Sequence, residues 1–426
     1  MQNPVIITGA GPGGLTLALA LHQRNIPVLV FEAVPALKPL GVGINLLPHS
    51  VRVLHGLGLQ EGLAALAIQT AELRYVNKFG QLIWAEPRGL LAGYPYPQYS
   101  IHRGELQMFL YTTACERLGA AAIQTGLALE DWADEVSSIR VTLRASDGAR
   151  QTVTGRCLVA ADGIHSAARR KLYPAEGPPL YSGRILWRAT SEAEPFLGGR
   201  TMIMAGHQNQ KFVCYPISKA HAEAGCSLIN WIAELNVPDW TPPQQDWNRA
   251  VTKARFADQF AQWRFDWLNI PQLIDSAPAI YEYPMVDRDP LPRWTHGRMT
   301  LLGDAAHPMY PIGSNGASQA ILDAELLAAE LATQDEVEEA LATYEATRRP
   351  ATGKIVLMNR QNGPEQVMQM AEERAPQGFT HIHEVIAQAE LEAIAARYKQ
   401  AAGFSIDQVR QATADRARSS QATSAT

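Results

Sequence analysis

The chain opens on an uninterrupted apolar run. Val5, Ile6, Ile7 and Thr8 show no polar alternation, the pattern of a parallel strand buried on both faces. Glycines 9, 11 and 14 follow. Apolar positions across residues 15–24 then predict a helix, and "PVLVFE" predicts a second buried strand ending at Glu32. The next loop, "VPALKPLGVGINLLPHS", is rich in Gly and Pro yet apolar. It reads as a segment lying against a flat hydrophobic ligand or as a packed connection. "ELRYVNKFGQLIWAE" alternates around Phe79-Gly80 and predicts a hairpin. Beyond it the pattern predicts a helix from about Gly104, two strands joined by Ser146-Asp147-Gly148, and a buried strand in "CLVAAD".

Residues 180–290 change character. "RILWRAT", "RTMIMAG", "KFVCYPIS", "CSLINWIAEL" and "YEYPMV" are spaced as in an antiparallel sheet. "RMTLLGD" then returns to a buried strand able to rejoin the first sheet. From about residue 316 to about 401 the pattern is helical, with breaks expected at Pro350 and Gly363-Pro364. The predicted organisation is an α/β domain (1–179, hairpin strands embedded, and 291–360). A mainly antiparallel β-sheet domain (180–290) is inserted into it, and C-terminal helices (361–418) and a fraying tail (419–426) follow. No internal repeat is present.

Composition narrows the classes. With 46% apolar and 19% charged residues and a net charge of −5, nothing points to nucleic acid or an anionic membrane surface. No apolar run is long enough to span a bilayer, and the N-terminus lacks the basic region of a secretory signal, so a cytoplasmic location is expected. The 4 cysteines (115, 157, 214 and 226) are scattered, without the spacing of a metal site.

Two stretches carry candidate chemistry. Gly9, Gly11 and Gly14 form G-x-G-x-x-G between strand and helix. Gly9 permits the tight turn, Gly11 the approach of a pyrophosphate, and Gly14 the close packing of helix on strand. Glu32, at the end of the next strand, suits a ribose diol. This motif alone leaves NAD and FAD open. Asp304 ends an apolar strand in "LLGDAAHPMYPIGSNGASQAILDA" and suits a ribityl hydroxyl. Gly313 and Gly316 let backbone amides approach a ring where a helix begins near Ala317. A helix N-terminus there stabilises negative charge on a reduced flavin, which favours FAD.

Together "GAGPGG" with Glu32, "ADGIHSAAR" (Asp162, Gly163, Ser166, Arg169) and "GDAAHPMYPIGSNGA" resemble the class A flavoprotein monooxygenases, the group of para-hydroxybenzoate and salicylate hydroxylases. "PLGVGIN", "YPQYSIHRGELQM", "YPMVDRDPLPRW" and "GSNGASQAILDA" look closer still to the 5-methylphenazine-1-carboxylate 1-monooxygenase branch. The likeness spans roughly residues 4–360 and fades in the C-terminal helices. It implies a Rossmann-like FAD-binding domain with an inserted substrate sheet. It also implies hydroxylation of an aromatic or N-heteroaromatic compound by O2 and NADH or NADPH, through a flavin C4a-hydroperoxide, in a monomer or homodimer. On this resemblance Glu32 holds the adenosine ribose, Arg103 contacts the FAD, Asp304 binds the ribityl chain, and Asp162-Gly163 lies between FAD and the nicotinamide donor. Leu15, Ala33, Gly43, Ile44, Leu127 and Ala317 join Gly9, Gly11, Gly14, Gly313 and Gly316 as expected FAD contacts, and Pro311 lines the flavin face. Gly313-Ser314-Asn315-Gly316 and Tyr310 depart from the wider family, whose members commonly read Gly-Gln-Gly at the first of these places.

Flavin hydroxylation needs no side-chain nucleophile, but a base would raise the electron density of a phenolic ring. Tyr215 on the inserted sheet is the first candidate; His49, His207 and Tyr283 follow. His307 reads as a loop hydrogen-bonder. Three other readings remain: a flavin halogenase, whose W-x-W-x-I signature is absent because Trp263 and Trp267 are wrongly spaced; an FAD-dependent dehydrogenase or oxidase; and a non-catalytic FAD binder.

Overall fold

The computed structural model describes residues 3–239 and 249–424. Residues 240–248, within the expected 180–290 domain, and 425–426, at the end of the expected tail, lie outside the described residues. The opening run is the middle strand, Val5–Thr8, of a five-stranded sheet. Its order is Met299–Leu301, Cys157–Ala160, Val5–Thr8, Val28–Glu32 and Ile123–Thr125. Every pair is parallel, so all five carboxyl ends lie along one edge, where open α/β sheets bind ligands. Val5, Ile6 and Ile7 are fully buried, as both faces of such a sheet require. The helices Pro12–His22 and Gly316–Thr333 pack together on this sheet. "RMTLLGD" does rejoin it, as its edge strand.

The second large sheet has eight strands. Its order is Ala250–Val251, Ile280–Asp287, Leu180–Ala193, Ser227–Asn236, Gln210–Pro216, Thr201–His207, Glu72–Val76 and Leu82–Pro87. The pairing is antiparallel except between Thr201–His207 and Glu72–Val76. The 72–87 hairpin, embedded in the first segment by sequence, is therefore the edge of this sheet in space. One face packs into an aromatic core in which Trp187 stacks on Phe256 at 4.7 Å. The opposite face carries Leu73, Tyr75, Met202, Met204, Val213 and Tyr215.

One expectation about the C-terminal region fails. Pro350 does not break a helix; it lies inside Val337–Arg360. The hydrogen bond it forfeits belongs to the carbonyl of Ala346. Both residues are exposed, so water can hydrate that carbonyl, while buried Tyr344, Ile355 and Val356 anchor the helix on either side. The expected fraying tail is largely helical: Ile406–Ser424 is one helix. Among the described residues, no helix is long and apolar enough to cross a membrane.

The turn after Met299–Leu301 is gripped from two sides. Asp323, fully buried on the Gly316–Thr333 helix, accepts from the Gly303 amide (3.1 Å), His307 Nε2 (2.6 Å) and Arg348 Nε (2.6 Å). From the other side Arg169 Nη1 donates to the carbonyls of Ala305 (3.2 Å) and Ala306 (2.8 Å). Burial pushes the Asp323 carboxyl up, but His307 and Arg348 outweigh it and hold it down to about 2.

Because that value lies below the ordinary 3.8, the stabilisation is present above about pH 4 and is lost as pH falls toward 2. The shift corresponds to roughly 2 kcal/mol. We expect Asp323→Asn to destabilise the fold by about 3–5 kcal/mol, since it takes the carboxylate partner from the largely buried Arg348 guanidinium. It should also flatten the acid limb of the stability curve. Denaturant melts from pH 2 to 7 check this, and an acid limb identical in variant and parent would refute the assignment.

Candidate active site

The carboxyl edge of the parallel sheet gathers the predicted residues. Gly9 turns with φ +107°, where a Cβ would sit 2.2 Å from the Ala161 carbonyl oxygen; at Gly14 it would meet the Gly9 oxygen at 2.1 Å. The turn thus requires glycine at both places. At Gly11 nothing stands within 4 Å of a built Cβ, and Pro12 follows as the first helical residue. The helix thus starts beside open space at Gly11, and its first amides lack intrahelical partners, as an anion site needs. Glu32 accepts from the amides of Ala10 (2.7 Å) and Val34 (2.9 Å), which fixes its carboxylate beside the turn with lone pairs left for a diol. Exposed Ala33 and half-buried Leu127 lie close by, tied through the Gly126 amide to the Val34 carbonyl (3.2 Å).

Asp304 is exposed at its surface edge yet ringed by protein, and burial raises its carboxyl above the usual range. His307 and then Arg103 oppose that rise, and the charge of Arg103 also acts on Arg188. Asp162 has one carboxylate oxygen on the Ala167 amide (2.8 Å) and the other buried without a partner. Gly43 receives the Arg188 guanidinium on its carbonyl (3.1 Å) and donates to Asn230 Oδ1 (2.7 Å). These bonds hold the Gly43–Leu46 strand, with half-buried Ile44, against the large sheet.

The 310–316 loop ends the cleft. Gly313 has φ +69°, and a Cβ there would lie 2.1 Å from the Tyr398 hydroxyl. Asn315 Nδ2 donates to that hydroxyl (3.1 Å), which itself lies 3.0 Å from Asn359 Oδ1. The departure Gly313-Ser314-Asn315-Gly316 thus has a structural purpose: Asn315, fully buried, ties the loop to the C-terminal helices. Pro311 and Ala317 flank the loop, exposed and half-buried respectively.

Several expectations about individual residues need correction. Leu15 is fully buried in the core and its amide is committed to the Gly11 carbonyl, so it has nothing to offer a cofactor. His49 packs against Phe404 between helices (5.5 Å between centroids); burial, then Arg348 and Arg52, drives its pKa down to about 3. So feeble a base does not activate a phenol. Tyr215 is pushed up to about 12 by burial against the pull of Arg188, and is a neutral donor rather than a base. Tyr283 lies beneath the Arg188 guanidinium at 6.0 Å, and His207 sits half-buried at a strand end. His307 is the loop hydrogen-bonder expected of it, on Asp323.

Sequence reasoning missed the residues around a cavity between the sheet and the Gly313 loop. Leu47, Leu73, Met202, Met204 and Phe404 form apolar walls; Gly313 and Ser314 also line it, and Tyr75, Glu86, Arg88, Gln98, Tyr398 and Lys399 are its polar side chains. The period-two pattern of "LIWAEPR" held a signal: Trp84, Glu86 and Arg88 share one face, which places two charges on a buried side. Nothing in the sequence marked Lys399 or Tyr398.

The family model described as FAD binding domain matches residues 2–359. The chain is 48% identical over 364 residues to phenazine 1,6-dicarboxylic acid hydroxylase PhzS of Lysobacter antibioticus, covering 84% of this chain and 89% of that protein. It is 28% identical over 369 residues to 3-hydroxybenzoate 6-hydroxylase 1 of Aquipseudomonas alcaligenes, covering 84% and 88%. The crystal structure of Klebsiella pneumoniae HpxO complexed with FAD and uric acid is similar in fold, with a TM-score of 0.72, 23% identity and 96% of each chain covered. A glycine turn open at a helix N-terminus, a diol-ready Glu32 and the Asp304 cleft fit such a dinucleotide, and the chain belongs to the FAD binding domain family, with FAD as its cofactor.

Proposed function

We propose that this protein is a single-component flavin monooxygenase that uses NADH or NADPH and O2 to hydroxylate an aromatic or N-heteroaromatic substrate, with phenazine-like carboxylates the leading class. The observation that carries this reading is the largely apolar cavity abutting the Gly313–Gly316 loop. The 48% identity to a phenazine dicarboxylic acid hydroxylase supports it. Bound FAD supplies the redox chemistry, taking electrons from the nicotinamide donor and activating O2 so that one oxygen atom enters the ring and the other leaves as water.

The chain's own residues bind, orient and exclude water. The Gly11–Pro12 helix start would hold the pyrophosphate, Glu32 the adenosine ribose, and Asp304 the ribityl hydroxyls. Arg103 and Asp162-Gly163 would flank the cofactor, and the amides of 313–317 would serve the ring. Met202, Met204, Leu73 and Phe404 keep the reacting face dry, which limits wasteful release of H2O2. Residues 1–179 and 291–360 form the FAD-binding part. Residues 180–290 form the substrate sheet, to which we add the 72–87 hairpin. The protein acts in the cytoplasm on a small molecule, as a monomer or homodimer.

Dehydrogenation is the alternative, and the cavity disfavours it. Removing hydride from an alcohol or amine leaves a proton for a base to accept. Among the described residues no histidine lines the cavity, burial raises the Tyr75 and Tyr398 phenols, and Glu86 is bound to two cations. An oxygenase needs no such base.

Three outcomes follow for the FAD-loaded protein. In a panel of phenazine carboxylates, salicylates, hydroxypyridine acids and quinolones, at least one compound accelerates NADH or NADPH oxidation and gains one oxygen atom with little H2O2. Acceleration with a dehydrogenated product would favour the dehydrogenase reading. Asp304→Ala weakens FAD retention roughly 10- to 100-fold, by loss of a charge-assisted hydrogen bond, in flavin-release titrations; unchanged retention would remove Asp304 from the cofactor site. Tyr215→Phe leaves the pH profile of kcat unchanged between pH 6 and 9. With a phenol pKa of about 12, only about one molecule in ten thousand is ionised at pH 8.

A further inference from the structure

The hairpin edge of the large sheet brings an unusual set of polar groups to the cavity. Leu73 pairs with Glu86, and Tyr75 with Trp84, across Glu72–Val76 and Leu82–Pro87. The side chains of Tyr75, Glu86 and Arg88 therefore rise on one face, beneath the C-terminal helix Gln388–Ala401 that brings Lys399. Glu86 Oε1 accepts from Arg88 Nη2 at 2.9 Å, and Glu86 Oε2 accepts from Lys399 Nζ. One carboxylate thus faces two cations, leaving a net charge of +1 in a wall where Tyr75, Glu86 and Arg88 are all under a tenth exposed.

Two donors in this wall have no partner. Arg88 Nε and the Tyr75 hydroxyl are both buried and make no hydrogen bond. Burial holds the Tyr75 phenol well above its ordinary value, so it keeps its proton and can donate. Unpaired buried donors beside uncompensated positive charge are costly, and a site of that kind is completed by an anion. The Gly313-Ser314 end of the same cavity is where the flavin loop lies.

We propose that Arg88, Tyr75 and Lys399 form an anion subsite that takes the carboxylate of an aromatic acid and so points its ring at the Gly313-Ser314 end. Glu86 is a positioning residue: it aligns the two cations without touching substrate. The inference rests on the oxygenase reading above and adds which end of the substrate is held, and by what. The free space, about 20 Å³, admits one water. A ring enters by displacing Met202 and Met204, whose unbranched side chains repack at low cost. Ring size is then set by these methionines and binding polarity by the cationic end.

The test compares phenazine-1-carboxylate with its neutral carboxamide as probes, using perturbation of the flavin absorbance in the FAD-loaded enzyme to measure Kd without turnover. Wild type should bind the carboxylate at least tenfold more tightly than the carboxamide. Tyr75→Phe removes only an unpaired hydroxyl and should weaken the carboxylate about 5- to 10-fold with unchanged Tm; a purely structural role would leave Kd unmoved. Arg88→Met and, on a separate helix, Lys399→Met should each weaken it about 30-fold while changing the carboxamide less than threefold. Arg88→Lys should recover part of the loss. Equal effects on both probes, or no wild-type preference for the carboxylate, would overturn the subsite. If the carboxylate discrimination holds but neither probe is oxygenated, the subsite stands and the oxygenase reading falls. If oxygenation proceeds with the variants discriminating as wild type does, the reverse is true.

Discussion

The site depends on one turn being held still from both sides. Asp304 sits in a loop whose backbone donor at Gly303 is taken by Asp323 and whose acceptors at Ala305 and Ala306 are taken by Arg169. With both polarities of the backbone satisfied inside the protein, the only carboxylate of the turn is left to face the cleft. Arg169 belongs to the "ADGIHSAAR" motif and Asp323 to "ILDA", so these two stretches are tied to one turn. A single rigid carboxylate in the right place is worth more to a long flexible ligand than several mobile ones, because less ordering remains to be done on binding.

The large sheet works by its two faces. Alternation sends Trp187, Phe212 and Trp231 to a dry aromatic core, and sends Tyr75, Met204, Val213 and Arg188 toward the cofactor side. Arg188 and Asn230 also reach across to the Gly43 strand, so the FAD-binding part and the sheet share hydrogen bonds at the cleft.

Much of this was legible in the sequence, for physical reasons. Buried parallel strands announce themselves by length and lack of alternation, as Val5–Thr8 and Cys157–Ala160 do. Glycines in a strand–helix turn have few alternative uses, and the strands of 180–290 stood out as strand-like runs at the spacing of an antiparallel sheet. What failed were inferences from local propensity where tertiary contacts decide. Pro350 reads as a break only if its neighbours are free to leave the helix, and buried Tyr344 and Ile355 are not. The hairpin at 72–87 pairs with Thr201–His207, well over a hundred residues later, a choice no local pattern encodes. Tyr215 and His49 have the right chemistry by type, but burial, which sequence does not report, makes one too weak an acid to ionise and the other too weak a base to help.

The helices from Val337 onward, the last of which lie beyond the family likeness, are not an appendage. Arg348 donates to Asp323 (2.6 Å) and to Gln319 Oε1 (2.6 Å); Gln319 Nε2 donates to Asn315 Oδ1 (3.2 Å) and the Ala402 carbonyl (3.1 Å); Asn315 reaches Tyr398. Asn359, on the same helix as Arg348, closes the chain on the Tyr310 carbonyl (3.0 Å). One buried polar network therefore supports the Asp304 turn and the Gly313 loop together. Such a network stabilises only when every member is satisfied, so its parts are expected to change together. Asn315 in the loop and Tyr398 in the helix are such a pair, joined by the hydrogen bond from Asn315 Nδ2 to the Tyr398 hydroxyl. The Gly313 loop and the helix that supplies Lys399 to the cavity are thus fixed by the same set of bonds.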